Sequence, residues 1–121
     1  MRYHHLYTTD DGESHWRTVD AALEERSFAP PAKAIEISDA RTTKATLFLR
    51  LAAGWDEPIH TTPNRQFLVA LRGAIDVTAS DGETRRIGPG DVWLMADTHG
   101  KGHRTQVIGD VALEAVMIQI D

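Results

Sequence analysis

Cysteine is absent from this chain of 121 residues, and with it go disulfides, thiolate nucleophiles, Cys-ligated zinc and iron–sulfur clusters. Any metal has to be held by His, carboxylate or amide. Long apolar runs are missing too: the segment 111–120 is too short to span a bilayer and is interrupted by Glu114 and Gln119. No apolar leader-like stretch follows Met1, so the cytoplasm is the expected address. Blocks of basic residues do not occur, and a net charge of −5 offers no footprint for a phosphate backbone, so neither nucleic acid nor membrane is an expected partner. None of Ser14, Ser27, Ser38 and Ser80 sits in a G-x-S-x-G elbow. No carboxylate pair stands out for glycoside chemistry, Glu83 and Glu114 lying in turn and strand contexts.

What is present is mostly strand. With 41% hydrophobic residues the chain can bury one sizeable core, and one domain is expected. Short runs rich in β-branched and aromatic residues cover 34–37, 45–51, 67–71, 74–78, 84–87, 92–95, 104–108 and 111–120, and 3–7 and 15–19 read the same way. Asp81-Gly82 suits a type I′ hairpin turn, and Gly88-Pro89-Gly90-Asp91 and Gly109-Asp110 punctuate later connections. A short helix is expected over 19–26, ending before Pro30-Pro31. Short strands at turn-marked spacings of about 8–12 residues predict an all-β sandwich or barrel.

One stretch carries more than architecture. From Gly54 to Gly73 the chain resembles the first motif of the cupin family, G-x5-H-x-H-x3-E-x6-G: Gly54, His60 and Gly73 fall in place, while Thr62 stands for the second His and Gln66 for the Glu. The second motif, about G-x5-P-x-G-x2-H, resembles the stretch from Gly90, except that Ala96, Asp97 and Thr98 replace Pro-x-Gly and His103 arrives two residues late. The resemblance implies a cupin-type jelly-roll β-barrel of two packed antiparallel sheets. It divides the chain into an N-terminal extension, residues 1–32, whose strands need a sheet to join, and a barrel, residues 33–121. It also implies a homodimer, which the extension's strands are expected to help form.

Carried over to matching positions, His60, Thr62, Gln66 and His103 are the implied ligand-binding set, and His60, Gln66 and His103 the implied metal ligands. Gln66 is neutral, whereas a two-His-one-carboxylate site needs an anion. A divalent transition metal, the one cofactor this set suggests, is therefore expected to bind weakly or not at all. The favoured expectation is a pocket for a small polar molecule, since an amide, two imidazoles and a hydroxyl can orient one among apolar walls. One alternative is a polar interior in which these groups only satisfy each other. Another is a metal-dependent isomerase, epimerase, lyase or oxygenase acting on a small acid or sugar. Arg65, Lys101 and Arg104 flank the set and read first as solvated charges. His99 reads as an exposed loop residue and His4, His5 and His15 as surface or edge positions, while Trp55 and Trp93 read as core. Gly100-Lys101-Gly102 lacks the frame of a phosphate-binding loop.

Overall fold

A computed structural model describes all residues 1–121 as eleven strands without a helix. In chain order they are β1 (Arg2–Thr8), β2 (Ser14–Asp20), β3 (Glu24–Arg26), β4 (Ile35–Ile37), β5 (Ala45–Leu51), β6 (Gln66–Arg72), β7 (Ala74–Ala79), β8 (Thr84–Ile87), β9 (Val92–Ala96), β10 (His103–Ile108) and β11 (Leu113–Gln119). Six form one sheet in the order β2-β1-β9-β6-β11-β5, three form a second in the order β10-β7-β8, and β3 and β4 pair only with each other. All pairings are antiparallel except that of β1 with β9, which is parallel. The two larger sheets are not closed into one hydrogen-bonded barrel. No helix is long and apolar enough to cross a membrane.

Alternation explains why the sheets share a core. In β6 the residues Gln66, Leu68 and Ala70 are buried, and in β7 Ile75, Val77 and Ala79, each set on one face of its strand. Leu68, Trp93 and Leu113 of the large sheet join Ile75, Val77 and Ile87 of the small one in a single cluster. Burying one such aliphatic side chain stabilises the fold by about 1.5–3 kcal/mol.

Two expectations change at the N-terminus. The helix over 19–26 does not form: Val19 and Asp20 finish β2 opposite Tyr3 and Arg2, and Glu24–Arg26 pair with Ile35–Ile37. A segment that short bears the full cost of helix nucleation, whereas strand partners are already in place. β1 finds its sheet within the chain, beside β9, so the large sheet has β2 and β5 as its edges. The boundary drawn at residue 32 falls between β3 and β4, which pair with each other.

His5 is buried rather than superficial, at 6% exposure. Its Nδ1 accepts a hydrogen bond from Arg17 Nε at 2.8 Å. Burial, then the charges of Arg17, Arg65 and Arg41, lower its pKa from 6.5 to about 4. His4, on the opposite face of β1, is lowered by burial and Arg85, with Asp91 opposing. A depressed pKa leaves its stabilising contribution intact above pH 6.5 and removes it as pH falls toward 4. After allowance for solvent screening of the arginines, about 2 kcal/mol is at stake for His5. His5→Gln, which can still accept from Arg17, is expected to melt with a shallower acid-side decline than wild type between pH 6.5 and 4.5. Parallel declines in the two proteins would assign the acid loss to other groups.

Candidate functional site

The connection from β5 to β6 folds back onto β10. Trp55 donates its backbone N–H to the Ala52 carbonyl at 3.0 Å, and its own carbonyl accepts from Val107 at 2.8 Å. Farther along, His60 and His103 exchange backbone hydrogen bonds, His60 N to His103 O at 3.1 Å and His103 N to His60 O at 2.9 Å. This two-way bridge sets the imidazole centroids 4.9 Å apart. Gly102 makes it possible, because its φ is +75° and a Cβ there would stand 2.2 Å from the His60 carbonyl oxygen.

Between the sheets, at this bridge, lies a cavity of about 190 Å³. Leu49 and Leu51 of β5, Leu68 of β6, and Trp93 and Met95 of β9 provide apolar wall. Glu57, His60, Gln66, His103 and Thr105 provide its polar lining. Side-chain exposure falls from 41% at His60 and 16% at Glu57 to 1% at His103, so the first two mark the mouth and His103 the interior.

The expected set is thus divided. His60, Gln66 and His103 line the cavity, but Thr62 does not; its hydroxyl donates to Asp97 Oδ1 at 2.7 Å, and its backbone N–H donates to the Asp97 carbonyl at 3.0 Å. Asp97 Oδ2 lies 2.6 Å from His103 Nδ1. With Nδ1 held there, His103 keeps Nε2 free and its ring fixed. Thr62, which departs from the first cupin motif, and Asp97, which lies in the altered turn of the second, are therefore partners, and together they orient the histidine that the motif retains.

Glu57 was not among the sequence candidates. One of its carboxylate oxygens lies 3.2 Å from His60 Nδ1, and the Pro58 carbonyl is also 3.2 Å from that nitrogen. Ligating atoms of Glu57, His60 and His103 all fall within 4.8 Å of one another. Desolvation raises the Glu57 pKa above the ordinary carboxylate value, and nearby His60 and His103 pull against that rise. Gln66 points its Nε2 at Met95 Sδ, 3.7 Å away, while its Oε1 is buried without a protein partner. The Trp93 indole N–H is similarly unpartnered.

The flanking groups are committed elsewhere. Arg65 pairs with Asp121 at 3.1 Å, Arg104 with Asp56 at 2.7 Å, and Lys101 with Glu13. His99 is exposed and does not line the cavity, and His15 lies between Thr9 and Asp81. Trp93 is buried, and Trp55 packs half-buried against the core.

A family model described as "Cupin domain" matches residues 47–119. No curated protein matches the chain. Among solved structures, the chain is similar to a Cupin 2 conserved barrel domain protein from Salinispora arenicola CNS-205, at 17% identity and a TM-score of 0.53, covering 84% of this chain and 78% of that one. It is also similar to the Schizosaccharomyces pombe Cnp3 cupin domain, at 18% identity and a TM-score of 0.51, covering 89% of this chain and 73% of that one. At such identities these likenesses concern the fold.

Proposed function

The chain belongs to the cupin family, and from that premise we propose that it is a small-molecule-binding domain of jelly-roll architecture whose ligand occupies the cavity beside His60 and His103. The observation that carries this reading is the partnerless Gln66 Oε1, buried in an otherwise apolar-walled space with imidazole and carboxylate groups at its mouth. A buried acceptor without a partner costs about 1–3 kcal/mol. A ligand that donates to it recovers that cost. A histidine bridge serving only to satisfy its own members would not account for such an acceptor on a residue that lines the cavity.

Size narrows the class. At about 190 Å³ the space is smaller than the roughly 300–1,000 Å³ typical of drug-sized ligands. It is closer to the roughly 150 Å³ of a cavity that accepts benzene. The ligand is therefore ring-sized or a short branched chain, with one polar head that donates a hydrogen bond, such as a primary amide, hydroxyl or amine.

Calorimetry with a graded panel of such compounds on chelator-treated protein tests the reading. Ring-sized amides and alcohols are expected to bind, and their affinity to disappear in Leu51→Trp, which fills the cavity while leaving every polar lining residue in place. Binding that survives in Leu51→Trp would put the ligand elsewhere. Silence across the whole panel would remove the small-molecule reading.

The alternative, a metal-dependent cupin enzyme working on a small acid or sugar, gains from Glu57. The neutrality of Gln66 had counted against a metal, and Glu57 brings a negative charge to the two histidines from outside the motif. When bound, a divalent cation there would supply Lewis-acid polarisation of a substrate oxygen.

A further inference from the structure

Taking the cavity as the ligand site, we propose that Glu57 is a relocated anionic ligand, and that Glu57, His60 and His103 together hold one divalent transition-metal ion with Asp97 and Thr62 as its outer support. Two neutral imidazoles and one carboxylate form the two-His-one-carboxylate set that leaves coordination positions open. The position at which the motif would place a carboxylate is Gln66, and the donor set without Glu57 carries no charge. Glu57 lies three residues before His60, within the stretch that the motif treats as spacer.

The geometry is near what coordination requires. Tetrahedral bonds of about 2.0–2.1 Å put ligand atoms roughly 3.3 Å apart. Glu57 and His60 already approach to 3.2 Å, and the whole set lies within 4.8 Å, so the remaining difference is about 1.5 Å at most. Glu57 has no Lys or Arg partner; the nearby cation Arg104 is held by Asp56. Its carboxylate is therefore free of competition from a fixed positive charge.

A second observation points the same way from the opposite side of His103. Metal-bound histidines commonly donate their other ring N–H to a carboxylate, which fixes tautomer and ring orientation. His103 has that carboxylate in Asp97, buried at 0% exposure, 2.6 Å from Nδ1 and itself held by Thr62. The replacement of a motif histidine by Thr62 then serves orientation of the remaining one. Gln66, which lines the same cavity, has an Oε1 without a protein partner.

Zinc titration of the chelator-stripped full chain tests this, by calorimetry with Zn²⁺ and by visible absorption with Co²⁺. Wild type is expected to take up one equivalent, Glu57→Gln to bind at least about tenfold more weakly, and His60→Ala to lose the site. Glu114→Gln, which alters a carboxylate paired with Arg50 and outside the cavity lining, should match wild type. Glu57→Ala and thermal melts accompany the series, so that a misfolded variant cannot pass for a lost ligand. Equal affinities in wild type and both Glu57 variants, or wild-type uptake no greater than that of His60→Ala, would overturn the proposal. Small-molecule binding by the metal-free protein is read separately: its persistence alongside failed zinc binding ends the metal site and leaves the pocket standing.

Discussion

Asp97→Ala is expected to lower the melting temperature by about 10 °C and to weaken zinc and small-molecule binding together. Asp97 is fully buried, and its carboxylate oxygens are divided between Thr62 Oγ1 at 2.7 Å and His103 Nδ1 at 2.6 Å. Removing it leaves a buried imidazole donor and a buried hydroxyl without partners, in a space water cannot readily enter. Breaking a buried hydrogen-bonded pair from one side costs about 3–5 kcal/mol. At the lower end of that range, a domain of this size loses roughly 3–4 °C per kcal/mol. Asp97→Asn separates the packing from the orientation. Its amide oxygen can still accept from Thr62, but its NH₂ faces His103 Nδ1 and favours the tautomer with the proton on Nε2, which blocks that nitrogen as a metal ligand. Asn should therefore cost less stability than Ala and nearly as much binding. A loss of under about 3 °C in Asp97→Ala would mean that this network is peripheral to the fold.

That network also marks where the sequence stops being readable. Strands announce themselves locally, through alternation and turn residues, so the segment expected at 84–87 is β8 without adjustment, and Asp81-Gly82 forms the tip of its hairpin. The two-face rule for adjacent residues correctly separates His4 from His5, but it does not say which face is the core. His4 shares the core face with Leu6 and meets Trp16, whereas His5 is buried on the outer face, and only its partner Arg17, twelve residues away on β2, shows why a buried histidine can be there. The failed helix at 19–26 has the same origin: good helix formers yielded to pairings with Tyr3 and with Ile35–Ile37 that no local window contains.

At the site, the motif frame itself concealed the chemistry. Glu57 stands where the pattern allows any residue, and it comes to matter only because the connection bends back to bring His60 against His103. Asp97 sits where Ala96 and Thr98 have replaced the Pro and Gly of a Pro-x-Gly turn, and Thr62 looks like the loss of a ligand. They lie 35 residues apart, and neither residue makes sense alone. Reading the two as one exchange, a buried acid for a buried hydroxyl to hold, would have been the available signal. His60, Gln66 and His103 were legible because a short-range spacing rule places them; the residues that tune them are linked only through space.

The bridge that joins those ranges should be the least tolerant point of the molecule, and Gly102→Ala is expected to show it. A non-glycine residue in the left-handed region costs about 1–2 kcal/mol by itself. Gly102 adds a steric conflict that no rotamer relieves: with φ at +75°, a new Cβ would stand 2.2 Å from the His60 carbonyl oxygen, 2.4 Å from its carbon and 2.8 Å from Thr61 N. These are backbone atoms of the strand-like connection that exchanges hydrogen bonds with His103, so making room means prising that bridge open. The Gly102 carbonyl also accepts from Ser14 Oγ at 2.7 Å, tying the same turn to β2. Gly82→Ala is the matched control, because Gly82 has φ +97° but nothing within 4 Å of the added carbon. Gly82→Ala should then lose only the conformational part, and Gly102→Ala at least about 2 kcal/mol more, a cost in the range of overpacked interiors, with zinc uptake falling in Gly102→Ala alone. Equal losses of stability in the two variants would show that the backbone at His60 yields freely, and the rigid placement of His60 against His103 would have to be given up.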